Sequence, residues 1–324
     1  MRNALAAVFI SASLVSAAAA QPGGRLIVLN KDDATLVTVD PATGKVLGSV
    51  PVGEGPHEAA VSTDGSLAFA ANYGAQTPGS TISVIDLKTM KELRRVDVSP
   101  LRRPHGLFFH DGKLYFTSEV NRLVARYDPA ADKIDWMMGT GQTGTHMVWV
   151  SADGRRIATA NIGSNSISVL ESGANPLAWT ATAIPVGRGP EGFDVSPDGR
   201  ELWAAHSQDG GVSVIDLASK KVTGTFDAQT KRSNRLKFTR DGRRVLITDL
   251  DSGDLVVLDA ATHAQVTRIP LGRSPEGILL APDGATAYVA VTGDNNIAVL
   301  DLKTLTVTKR LEPGRGPDGM AWVK

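Results

Sequence analysis

Three of the six histidines, His57, His105 and His146, occupy one recurring position in successive copies of a short pattern, within G-P-H-E, R-P-H-G and G-T-H-M. The same position in the other copies holds Glu191, Asn234, Glu276 and Asp318. Neutral imidazoles that converge with carboxylates form the donor set of zinc, copper, nickel or iron, and such a set with one position left for water is the pattern of catalytic metal sites. On that chemistry His57, His105, His146, Glu191 and Glu276 are the expected ligands of a divalent transition metal. The competing account is structural. A duplicated repeat inherits its residues, and each histidine then serves only a hydrogen bond to a neighbouring loop.

A second ring of candidates follows an apolar stretch in each copy: Asn30, Asn72, Ser118, Asn161, His206, Asp249 and Val291. Of these, Asn72, Asn161, His206 and Asp249 carry polar groups suited to holding a ligand. Basic residues gather just ahead of the histidine position, with Arg103, Arg188 and Arg273 the expected ligand contacts. Arginine at such a collar suits bidentate binding of a carboxylate or phosphate, against the plainer reading of a solvated rim. Other chemistries lack their residues. There is no cysteine, G-x-S-x-G elbow, H-E-x-x-H, phosphate loop or dinucleotide fingerprint. With 34 basic and 34 acidic residues the chain has no net field to draw in nucleic acid.

The elements that position these residues follow from the spacing. The recurring position falls at 57, 105, 146, 191, 234, 276 and 318, a period in the forties. Several short strands per period at that length indicate propeller blades rather than helical repeats. Residues 187–222 show the plan. Gly192 to Ser196 reads as a first strand, Pro197, Asp198 and Gly199 as a tight turn, and Glu201 to Ala205 as a second strand. Val212 to Asp216 is a third and Lys221 to Phe226 an outer fourth. The turn recurs as Asp64-Gly65, Asp111-Gly112, Asp153-Gly154, Asp241-Gly242 and Asp283-Gly284, and an acid closes each third strand, from Asp40 to Asp301. Thr or Ser three residues after several of these acids suits a side-chain-capped turn, so these carboxylates are assigned to turns rather than to acid–base work.

The chain ends on a first strand, Gly319 to Val323, and Arg25 to Val50 supplies the three strands that lack one. The expected fold is therefore all-β: one seven-bladed β-propeller over residues 21–324, four antiparallel strands per blade, closed by pairing the C-terminal strand with the N-terminal segment. In such a fold both rings of candidates open on one face of the central channel.

Asn72 after F-A-A, Asn161 after A-T-A, and S-V-I-D-L at Ser83 and Ser213 carry a resemblance. The chain resembles the YVTN family of β-propellers, whose repeats run P-x-G-apolar-S-P-D-G-x-x-Y-V-T-N…V-S-V-I-D, over nearly all of residues 21–324. The resemblance implies the fold. Its members include surface-layer proteins and exported proteins, and similar propellers occur in lactonases and in haem-holding nitrite reductases, so it does not choose a function.

Met1 to Ala20 has one early positive charge, an apolar run and small residues before Gln21, the pattern of a cleaved signal peptide, and no later stretch is suited to crossing a bilayer. The expected protein is periplasmic or secreted. It is a scaffold that binds a small molecule, a metal ion or a periplasmic or cell-surface protein at the channel mouth. A metal-assisted, lactonase-like hydrolase or lyase and a haem carrier are the alternatives.

Overall fold

In the computed structural model, which describes residues 24–175 and 178–324, every strand falls in one of seven four-stranded antiparallel sheets. The expected signal peptide lies outside the described residues. Taking the blades in chain order, the first strands are Pro56–Val61, Pro104–His110, Thr145–Val150, Pro190–Val195, Ser233–Phe238 and Pro275–Leu280 for blades two to seven. Blade one takes its first strand from the C-terminus. Pro317–Val323 pairs antiparallel with Arg25–Asn30, setting Leu26 opposite Trp322, Ile27 opposite Ala321 and Val28 opposite Met320. The ring is thus closed by hydrogen bonds between the two ends of the described chain, which removes the free sheet edge that invites aggregation.

Burial follows from a blade's having a neighbour on each side. Second strands are buried on both faces, as in Arg244–Asp249 after its first residue, whereas the outer strand Lys91–Asp97 alternates exposed and half-buried positions. The cores therefore lie between blades: Leu255 and Val257 of blade six pack with Ile278 and Val289 of blade seven. Each such aliphatic side chain contributes about 1.5–3 kcal/mol on burial.

The turns form as the sequence predicts. Gly199 has φ of 74°, its N–H donates to the Ser196 carbonyl, and the Ser196 hydroxyl donates to Asp198 at 2.6 Å. The acids that end third strands cap the next turn. Asp86 accepts from the Lys88 and Thr89 N–H groups, and Asp301 from those of Lys303 and Thr304. Glu171 departs from the pattern and pairs with Arg156 and Lys220.

Around the channel, the residue after the histidine position alternates between glycine and a side chain. Gly319, Gly106, Gly192 and Gly277 serve blades one, three, five and seven, against Glu58, Met147 and Arg235 in blades two, four and six. Each glycine lets its strand press on the backbone of the next blade. A β-carbon on Gly106 would lie 2.6 Å from the His146 carbonyl oxygen, and one on Gly192 would lie 2.5 Å from that of Asn234.

Candidate functional site at the channel mouth

His57, His105, His146, Glu191 and Glu276 all line one cavity of about 200 Å³, together with Asn234 and Asp318. The period brings them together because each is the second residue of a first strand, where all seven strands converge. A wider hollow of about 540 Å³ adjoins it and shares Tyr73, His146, Glu191 and Arg232. The cavity has a floor. The buried Arg235 guanidinium, one residue below the ring, reaches across the channel to hydrogen-bond Glu58 of blade two. Burial pushes the Glu58 carboxyl up, opposed by the Arg235 charge.

On the side of blades two to four the aromatic residues are stacked. The His105 and His146 rings lie 3.6 Å apart between centroids, His57 stands 5.2 Å from His105, and Tyr73 is 4.6 Å from His57. Burial holds His105 well below the usual imidazole range and lowers His57, so both are neutral near pH 7. His57 Nδ1 is 2.8 Å from the Gly55 carbonyl and must carry the proton, leaving Nε2 as an acceptor. His146 Nδ1 faces Glu119 Oε1, and the Tyr73 hydroxyl donates to Glu119 Oε2 at 2.5 Å. Burial opposes ionisation of Glu119, yet the hydrogen bonds from His146 and Tyr73 outweigh it and keep its carboxyl below the ordinary range.

Acids and a lysine make the other wall. Lys31 Nζ is 2.5 Å from Glu276 Oε2 and 3.4 Å from Asp318 Oδ2, the second an ion-pair separation without hydrogen-bond geometry. Burial and then the Asp318 charge push Glu276 up to about 7. Burial also works against Asp318, but Lys31 and Arg235 outweigh it and hold that carboxyl low. Two carboxyls with divergent affinities for a proton are the arrangement that separates an acid from a base.

Among the described residues no group of three or more His, Asp or Glu side chains is placed to hold a metal ion. His105 and His146 stack rather than converge, Asn234 donates to Glu191 at 2.7 Å, and Glu276 is held by Lys31.

None of the seven expected ligand contacts lines either of these two hollows. Asn72 accepts from Gly53 N–H and donates to Thr81 and Ser83, and Asn161 bonds Thr145, Ser166 and Ser168. His206 has both ring nitrogens occupied, by Asp209 and Ser213, while Asp249 caps the Lys231 and Arg232 N–H groups. Arg188 bonds the Gln208 carbonyl, Arg273 pairs with Asp294, and Arg103 lies over the Tyr73 ring at 4.4 Å. The residues that do reach the hollows follow these by one: Lys31, Tyr73, Glu119, Ile162, Ser207 and Leu250. Side chains alternate along a strand, so the strand-end residue points into the blade stack and its successor into the channel. The signal was present in the sequence as the next residue of each repeat. Arg235 was also legible, as a lone arginine at a position where most blades carry glycine.

Fold and site together define a closed seven-bladed propeller with a blind polar cavity at one mouth. The chain belongs to the YNCE-like beta-propeller family, whose model matches residues 123–287. It is 30% identical over 94 residues to Antigen Lp49 of Leptospira interrogans, a stretch covering 29% of this chain and 21% of that protein. Among solved structures it is similar to Kuenenia stuttgartiensis hydrazine synthase, at 20% identity and a TM-score of 0.76 over 86% of this chain and 92% of that one. It is also similar to the periplasmic gluconolactonase of Pseudomonas aeruginosa, at 19% identity and a TM-score of 0.74 over 93% and 99% of the two chains. A dihydro-heme d1 dehydrogenase matches at 18% identity and a TM-score of 0.67 over 90% of this chain and 64% of its own. At these identities the structures share the fold. No helix among the described residues is long and apolar enough to cross a membrane.

Proposed function

We propose that this chain is an exported binding propeller that takes a small, hydroxyl-rich molecule into the cavity at its channel mouth. One observation supports the reading: buried polar atoms there lack a hydrogen-bond partner and point to a ligand that brings donors. Both carboxylate oxygens of Asp318 have no hydrogen-bond partner, nor has His146 Nε2, whose ring turns Nδ1 to Glu119. His105 Nδ1 is likewise unpartnered. Lys31 and Arg232, which line the same cavity, supply donors for the ligand's own oxygens. A polyol or sugar presents both kinds of group on a small frame.

Size agrees, because the inner cavity is below the roughly 300–1,000 Å³ of pockets for drug-sized ligands, which favours a sugar-sized molecule over a macrocycle or a protein segment. Export rests on the residue pattern of Met1 to Ala20. Titration calorimetry with a panel of four- to six-carbon polyols and sugars tests the reading. Binding by at least one of them, weakened about tenfold or more by Asp318→Asn, is expected. A panel without a binder, or affinity indifferent to Asp318→Asn, would overturn it.

A further inference from the structure

We propose that the molecule taken at the channel mouth is the end of a neutral oligosaccharide, its terminal sugar in the inner cavity and the next sugar in the wider hollow beside it. The inference rests on the binding reading above and adds the size and class of the ligand. Its first support is continuity. Tyr73, His146, Glu191 and Arg232 line both spaces, so one molecule can occupy the two together. A single sugar in the inner 200 Å³ leaves to water the outer 540 Å³, a volume within the roughly 300–1,000 Å³ of ligand pockets.

The two spaces also have a direction. Lys31, Glu276 and Asp318, on blades seven and one, line only the inner cavity, whereas Ile162 and Gln208, on loops of blades four and five, line only the outer hollow. A chain that begins at Asp318 therefore crosses the mouth and leaves over blades four and five, where Gln208 is exposed. At its start, the two unpartnered oxygens of the buried Asp318 carboxylate can each accept from one of two adjacent hydroxyls on a sugar ring.

The lining of the outer hollow suits a second sugar. Ile162 is half-buried there, and its N–H donates to the Gly144 carbonyl at 3.0 Å, which ties the two loops together. With Gly144 and Gly163 on either side, this wall has no side-chain donor or acceptor. A pyranose ring sets C–H groups against such a wall and keeps hydroxyls at its edge. Gln208 is held by its backbone, whose N–H and carbonyl both bond Arg188, while its side-chain amide bonds no described residue. That amide offers a donor and an acceptor together, which matches a hydroxyl. Charge selects the neutral class. Glu119 and Glu191 face the hollow with one guanidinium, that of Arg232, so a carboxylate or phosphate there would meet two acids.

Titration calorimetry on the full chain tests this, comparing D-glucose, D-mannose and D-xylose with their 1,4-linked di- and trisaccharides. At least one disaccharide should bind about tenfold or more tightly than its monosaccharide, and the third sugar should add less than about twofold. Gln208→Ala and Ile162→Ala should each bring the disaccharide back towards the monosaccharide affinity, with monosaccharide binding and melting temperature little changed. Asp318→Asn should weaken both sugars alike. A polyol or monosaccharide that binds, with no gain for any disaccharide, overturns this inference and leaves the binding reading standing. A panel in which nothing binds overturns both. Affinity that climbs with every added sugar overturns end-on binding, and disaccharide affinity indifferent to both outer variants overturns the second subsite.

Discussion

Arg235 donates a hydrogen bond to Glu58 from the far wall of the channel, joining residues 177 positions apart in non-adjacent blades. The pair links opposite sides of the channel beside the cavity. Removing one partner strands a buried charge, so Arg235→Met should cost about 3–5 kcal/mol, and adding Glu58→Met should recover much of that loss. Urea denaturation of the two single variants and the double variant measures it, and additive losses would contradict the pairing.

Gly106→Ala tests the close approach of neighbouring first strands. The new methyl meets the His146 carbonyl at 2.6 Å, backbone that cannot swing aside. A loss of about 1–3 kcal/mol is expected, together with weaker ligand binding because His146 moves. Thermal melts and calorimetry on the same sample check both.

The pH dependence follows from Glu276. Its folded affinity for the proton, about 7, lies above the ordinary 4.5 of a glutamate, so the folded state binds more protons between these values and stability falls as pH rises through that window. The loss is about 3 kcal/mol at most. Asp318 has the opposite sign, its contribution lost only as pH falls below the ordinary carboxylate range. Glu276→Gln, which mimics the protonated acid, should be near wild type at pH 5 and more stable than wild type at pH 8, as read by urea melts at each pH.

Asn72→Ala separates construction from binding. The side chain satisfies Gly53 N–H at 3.0 Å and two hydroxyls inside the blade stack. Its loss should cost about 1–3 kcal/mol while ligand affinity at moderate temperature stays within about twofold, a difference near 0.4 kcal/mol. A selective loss of affinity would return Asn72 to the site.

Asn72 and Tyr73 also show where reading the chain alone succeeds and where it slips. Blade number, turn type and ring closure depend on local chemistry repeated many times, and Asp198, Gly199 and Asp86 announce it. The histidine position is equally plain, since three blades carry imidazole where repetition does not demand it. Which of two adjacent residues faces the channel depends on strand parity at the last residue, where one step of register exchanges the faces. Choosing Asn72 over Tyr73 therefore moved a whole ring of candidates from the cavity into the sheet stack. The pairing of Glu58 with Arg235 is hidden for another reason, because it crosses the ring and no neighbouring repeat reports it.

The alternation of glycine and side chain beneath the mouth meets an arithmetic obstacle: two-fold alternation cannot close on an odd number of blades. One mismatch must occur, and it falls between Gly277 of blade seven and Gly319 of blade one. The backbone itself crosses that junction, running from Thr306–Leu311 of blade seven into Pro317–Val323, and the covalent gap lies one strand further on, inside blade one, where Pro317–Val323 joins Arg25–Asn30 by hydrogen bonds alone. The ring's parity defect and its covalent gap are thus neighbours one strand apart, and Glu276, Asp318 and Lys31 cluster at this seam. The propeller is consequently not a seven-fold object with decorations. It has a built-in direction, with a charged side at the seam and an aromatic side formed by blades two to four.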